Sequence, residues 1–172
     1  MNRIEIEVAT PEAMTALGER IGAHLRAGDL LALNGELGAG KTTFTRGVGA
    51  ALGVRGAVTS PTFVLARTHP SEVGGAPLVH VDAYRLASAL ELDDLDIDYP
   101  ASVVVVEWAA GMLDGVSDSW LELEIRRPVG AETPLAEGEE PVEPRIVTLT
   151  GHGPRWAQLP QVATGSDRPV PR

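Results

Sequence analysis

The chain has 172 residues, a single lysine, no cysteine and a formal net charge of −10, which suits one domain with a substantial core and leaves no room for a second of ordinary size. The missing cysteines exclude disulfides, thiolate metal sites and cysteine nucleophiles, and an acidic chain with scattered arginines argues against stand-alone nucleic-acid binding, which needs clustered positive charge. No apolar run is long enough to cross a bilayer and MNRIEIEVAT is not a signal-peptide pattern, so a cytoplasmic location without a membrane partner is expected.

Ile4, Ile6 and Val8 alternate with Glu5 and Glu7, the pattern of a half-exposed strand near a sheet edge. Thr10-Pro11-Glu12 then reads as a helix start, with Met14, Leu17, Ile21 and Leu25 as its apolar stripe and Gly28-Asp29 as the turn beyond it. Thr10 has two readings, a helix cap alone or a cap that also meets a nucleotide base.

Leu30 to Leu33 suits a buried strand, and Phe44, Val48, Ala51 and Leu52 recur at helical spacing until Gly53. Between them, Gly35 to Thr42 is a complete GxxxxGK[ST] phosphate-binding loop. Glycines at 35, 38 and 40 permit positive φ and leave backbone N–H groups open to phosphate oxygens at the positive end of the helix. Lys41 is placed to bridge the β- and γ-phosphates, and Thr42 to offer its hydroxyl to a Mg²⁺ ion shared with them. Gly35, Gly38, Ala39, Gly40, Lys41, Thr42 and Thr43 are therefore the candidate contacts for ATP or ADP.

Val58 to Leu65 is a small polar cluster running into a strand. Hydroxyls at Thr59, Ser60 and Thr62 either meet a γ-phosphate or satisfy loop backbone. Residues 70–77, PSEVGGAP, read as a surface loop, and Leu78 to Asp82 as a strand whose period puts His80 and Asp82 on one face, with Tyr84 following if extension continues. His80 on its own reads first as a structural hydrogen-bonder. Asp82, at the C-terminal end of a strand, lies at the sheet edge where α/β folds bind ligands.

Ser88 to Glu91 forms a capping box. The five acids from Glu91 to Asp98 are a solvated face or a docking surface for a basic partner. Val103 to Val106 is a central buried strand ending in Glu107-Trp108. A carboxylate after four apolar residues has the form of a Walker B element, giving Glu107 a role in holding Mg²⁺. Alternation sets Trp108 on the face of Val104 and Val106, hence in the core; the other reading is a ring that covers the site. Trp120 to Arg126 and Arg145 to Leu149 alternate and are expected to pair antiparallel. Residues 128–144 read as a mobile insertion and 160–172 as a disordered tail to a single domain over 1–159.

GELGAGKTT at 35–43, SPTF at 60–63, HVDAYRL at 80–86 and EW at 107–108 together resemble the bacterial TsaE (YjeE) family of small P-loop ATPases, over roughly Thr10 to Ile125. The resemblance implies a part in placing the threonylcarbamoyl group on the adenosine beside the anticodon of certain tRNAs. It implies ATP and Mg²⁺ at Lys41 and Thr42, a second magnesium-associated group at Glu107, and the aspartate of the HxD pattern at Asp82. It further implies TsaD and TsaB as partners, with TsaC supplying the activated adenylate and tRNA reached only through the complex. The 128–144 insertion departs from short family members and puts C-terminal nucleotide contacts, including any from Arg145, in doubt.

The expected fold is α/β, a P-loop-type parallel sheet flanked by helices and extended by antiparallel strands. The expected reaction is ATP hydrolysis, with Lys41, Asp82 and Glu107 in the catalytic group and Ser60, Thr62, His80, Tyr84 and Trp108 as partner or switch residues. A small-molecule kinase shares the loop but needs an acceptor pocket and usually an arginine-rich lid, and no arginine cluster stands in the sequence. A GTPase needs an NKxD motif, and neither asparagine, Asn2 or Asn34, begins one. A nucleotide-sensing adaptor with little turnover remains the non-enzymatic alternative.

Overall fold

The structure is a computed structural model that describes residues 2–36, 38–54, 58, 66–84, 92, 95–108, 113, 115–127 and 144–159. The readings placed on Thr59, Ser60, Thr62, the 88–91 capping box, the 128–143 insertion and the 160–172 tail lie outside the described residues. Among the described residues seven strands form one sheet: β1 (Asn2–Val8), β2 (Leu30–Gly35), β3 (Ala66–His69), β4 (Leu78–Asp82), β5 (Val103–Glu107), β6 (Trp120–Arg126) and β7 (Arg145–His152). The helices α1 (Pro11–Gly22) and α2 (Lys41–Leu52) pack on it. Among the described residues no helix is long and apolar enough to cross a membrane.

The spatial order is β1-β7-β6-β2-β5-β4-β3. β6, β2, β5 and β4 run parallel, while β7, β1 and β3 join antiparallel. The parallel-containing α/β sheet is thus extended at both ends as the alternation patterns require, with β1 at an edge. Leu31, Leu33, Val103 and Val105 share one face with Met14, Leu17 and Ile21 of α1 and Phe44 and Val48 of α2. Leu30, Ala32, Val104 and Val106 face the other way, under Leu92, Leu95, Ile97, Tyr99 and Leu113. The β2 and β5 strands are buried on both faces, which is why they read as unbroken apolar runs.

Thr10 caps α1 by accepting the Ala13 N–H at 3.1 Å. The helix stops at Gly22, so Leu25 reaches the core from the following turn rather than from the helical stripe. That turn is held by Asp29, a buried carboxylate that accepts from Arg155 Nε at 2.9 Å and Nη2 at 3.0 Å. Arg155 also donates to the His24 carbonyl at 2.7 Å and lies over the buried Trp156 ring. The 70–77 loop joins β3 and β4 as a hairpin and folds back on the end of α2, with Glu72 N–H donating to the Gly53 carbonyl.

α1 and α2 meet backbone to backbone. A Cβ on Gly18 would stand 2.2 Å from the Phe44 carbonyl oxygen, and one on Gly47 would stand 2.2 Å from that of Thr15. Neither obstacle is a flexible side chain, so the helices must separate to admit a methyl group. Gly47→Ala is expected to cost about 2–3 kcal/mol through this overpacking, despite alanine's better helix propensity. Thermal unfolding followed by circular dichroism should show a midpoint lowered by roughly 4–10 °C; an unchanged midpoint would contradict the packing argument.

Candidate functional site

Parallel strands β2, β4 and β5 deliver Gly35, Asp82 and Glu107 to the same sheet edge. From Gly35 the chain turns into α2 through Gly38 and Gly40, whose φ values of 77° and 112° belong to the left-handed region that glycine tolerates. Gly35 is glycine for a different reason: a Cβ there would stand 3.0 Å from the Ile125 carbonyl oxygen and 3.2 Å from the Ala39 methyl. Gly40 caps α2 with no side-chain hydrogen bond. The first-turn amides of α2 thus have no side-chain acceptor at the cap, and an anion at the loop can take that place. The Ala39 N–H turns back on the Glu36 carbonyl at 3.0 Å, closing the loop.

Lys41 is only 7% exposed. Its Nζ donates to the carbonyls of Gly35 at 2.7 Å and Glu36 at 3.0 Å, and the Trp108 ring centroid lies 4.1 Å from the same atom. Burial lowers the ammonium's pKa, and the carboxylates of Glu107 and Asp82 pull it part of the way back. The ammonium is thus held out of bulk water between two loop carbonyls and two carboxylates.

Asp82 and Glu107 are opposite one another in the β4–β5 ladder and both are buried. The Tyr84 N–H donates to Asp82 Oδ1 at 3.0 Å, ending the extended conformation there, so Tyr84 does not continue the strand. Tyr84 instead projects into solvent, 71% exposed. His80 is wholly buried on the face of Glu107, with Nε2 3.1 Å from Glu107 Oε1.

Among the described residues no three His, Cys, Asp or Glu side chains converge as a ready-made metal cage. The residues nevertheless fit a hard divalent cation that keeps phosphate oxygens among its ligands. Glu107 Oε1 is buried without a hydrogen-bond partner, and Thr42 is half-buried in the first turn of α2 beside Lys41.

Trp108 departs from the alternation rule. Its φ is 61°, a rare conformation for an aromatic residue, while its N–H donates to the Leu33 carbonyl at 3.0 Å. The turn takes its ring away from the core and onto Lys41, where Tyr84 meets it edge-on at a centroid distance of 5.3 Å. The core reading of Trp108 is therefore corrected: the ring is half-buried over the phosphate loop. Backbone held in such a region accumulates at functional sites.

Thr10 and Thr43 fall near this edge, but the Thr10 hydroxyl is engaged in capping α1 and Thr43 stands half-buried on α2. Two arginines also arrive: Arg127, absent from the sequence reading of the site, and Arg145, whose part that reading left in doubt. Arg145 Nε donates to the Ala39 carbonyl at 3.3 Å, and a Cβ on Gly38 would lie 3.6 Å from Arg127 Nη2. The signal was present: antiparallel β6 and β7 necessarily bring the residue that follows one and the first residue of the other to the same edge.

The family model described as threonylcarbamoyl adenosine biosynthesis protein TsaE matches residues 8–132. The chain belongs to the TsaE family. A Streptomyces coelicolor protein named tRNA threonylcarbamoyladenosine biosynthesis protein TsaE is 56% identical over 147 residues, 84% of this chain and 94% of that one. A Bacillus subtilis protein of the same name is 33% identical over 162 residues, 92% of each chain. Among solved structures, that of Bacillus subtilis YdiB superposes with a TM-score of 0.72 at 28% identity, covering 97% of both chains. The TsaE match takes in Thr10, the whole phosphate loop, His80, Asp82, Glu107 and Trp108, and it stops before Arg145.

Proposed function

We propose that this protein binds ATP with Mg²⁺ and hydrolyses it, and that its nucleotide state serves formation of the threonylcarbamoyl modification on the adenosine beside the tRNA anticodon. It would act in the cytoplasm with TsaD and TsaB and reach tRNA only through that complex. The observation that carries this reading is the convergence of Lys41, Asp82 and Glu107 on one loop of left-handed glycines, together with relatives named for that pathway.

In this reading Gly38, Gly40 and the uncapped first turn of α2 receive the phosphates. Lys41 transfers its donors from loop carbonyls to phosphate oxygens. A divalent ion, when bound, supplies charge neutralisation at the transferring phosphoryl group, and Thr42 and Glu107 are the residues to hold it. Asp82, kept in place by the Tyr84 N–H, orients the attacking water. Trp108 shields Lys41 from bulk solvent and, with exposed Tyr84, offers an aromatic surface to a partner protein.

Turnover of purified protein, measured with and without TsaD and TsaB, tests the reading. Stimulation by the partners supports it. ATP binding with no turnover under either condition favours the adaptor alternative. In the same assay Trp108→Ala is expected to hold ATP affinity within about threefold while partner-stimulated turnover falls about tenfold. Parallel loss of affinity, turnover and melting temperature would return Trp108 to a structural role.

A further inference from the structure

His80 has no assigned part in the scheme above, and its position is costly. The ring is 0% exposed, and neither Nδ1 nor Nε2 has a hydrogen-bond partner. Burying an imidazole in that condition is unfavourable. Leu78, two residues earlier on the same face, fills the equivalent position with hydrocarbon and is equally buried. A core role alone therefore gives no reason for histidine.

Its geometry does. In the parallel β4–β5 ladder His80 is opposite Val105, and Asp82 is opposite Glu107. His80 thus lies diagonally behind Glu107 on the face that carries Lys41. Its Nε2 stands 3.1 Å from Glu107 Oε1, an ion-pair distance lying off the line of a formed hydrogen bond. Oε1 is itself buried without a hydrogen-bond partner. Two neighbouring carboxylates must be kept in different poses here, and Asp82 already has a tether in the Tyr84 N–H.

We propose that His80 is the positioning residue for Glu107: an Nε2–H directed at Oε1 fixes the carboxylate so that its other oxygen is presented to the divalent ion of the nucleotide complex. The inference rests on the nucleotide reading above. Outer contacts of this kind orient ligating carboxylates, and their loss typically costs 10- to 100-fold in metal affinity. Such contacts are often misaligned without substrate and tighten in the complex.

The test compares His80→Leu, His80→Gln and His80→Asn by calorimetric titration of ADP in Mg²⁺ and in EDTA, with a melting curve for each nucleotide-free protein. Gln places an N–H near the position of Nε2, whereas Asn places one near Nδ1. The expected result is that Leu and Asn weaken binding in Mg²⁺ about tenfold or more, leave binding in EDTA within about twofold, and that Gln restores the Mg²⁺ dependence. Should His80→Leu fail to fold, Gln against Asn decides alone. Equal behaviour of Gln and Asn, or equal losses in Mg²⁺ and EDTA, overturns the proposal. Wild-type protein that binds no nucleotide would overturn the underlying reading, an outcome distinct from failure of the His80 contact.

Discussion

Lys41→Ala is expected to lose about 100-fold or more in ATP affinity, with turnover falling below detection, while the chain still folds. The magnitude follows from removing charge-assisted hydrogen bonds to phosphate, each worth about 1.5–3 kcal/mol. Folding should survive because the Nζ partners are two carbonyls of the loop and not the core, and exposed Glu36 leaves its carbonyl near water. Calorimetry with ATP checks the affinity and circular dichroism checks the fold. A folded variant that binds ATP normally would remove the phosphate-loop assignment.

Glu107→Ala is expected to act through the ion. Hydrolysis in Mg²⁺ should fall about 100-fold, equivalent to roughly 3 kcal/mol of transition-state stabilisation. Nucleotide binding in EDTA should remain within about threefold of the original, because Lys41 Nζ is held by the Gly35 and Glu36 carbonyls and not by this carboxylate. Titrations with and without EDTA separate the two effects. Equal losses in both conditions would make Glu107 a structural residue whose removal disturbs the end of β5.

Much of this architecture was legible because its signals are local. The phosphate loop declares itself by spacing, β1 and β6 by strict alternation, and β5 by four consecutive valines. Asp82 and Glu107 could be placed at strand ends from period alone. What escaped depends on pairs far apart in sequence or on one unusual dihedral. Arg127 and Arg145 are separated by the 128–144 stretch and meet the loop only because β6 and β7 pair. The Asp29–Arg155 clasp joins residues 126 apart. Trp108 broke the alternation rule through a single positive φ, which no pattern of apolar residues encodes. Gly18 and Gly47 offer no side chain for an apolar pattern to register, yet each is the place where the other helix's backbone passes.

That glycine seam has a mechanical consequence. Helices that touch through side chains can slide by changing rotamers, but α1 and α2 have no side chains between them at Gly18 and Gly47 to rearrange. Their crossing behaves as a rigid joint. A displacement of α2, whose first residue is Lys41, should carry α1 with it, and with α1 Thr10 and the β1 edge strand that precedes it. The pair acts as a lever with its short arm in the 35–42 loop, so a displacement of that loop would reach the rim of the sheet without any intervening change of packing.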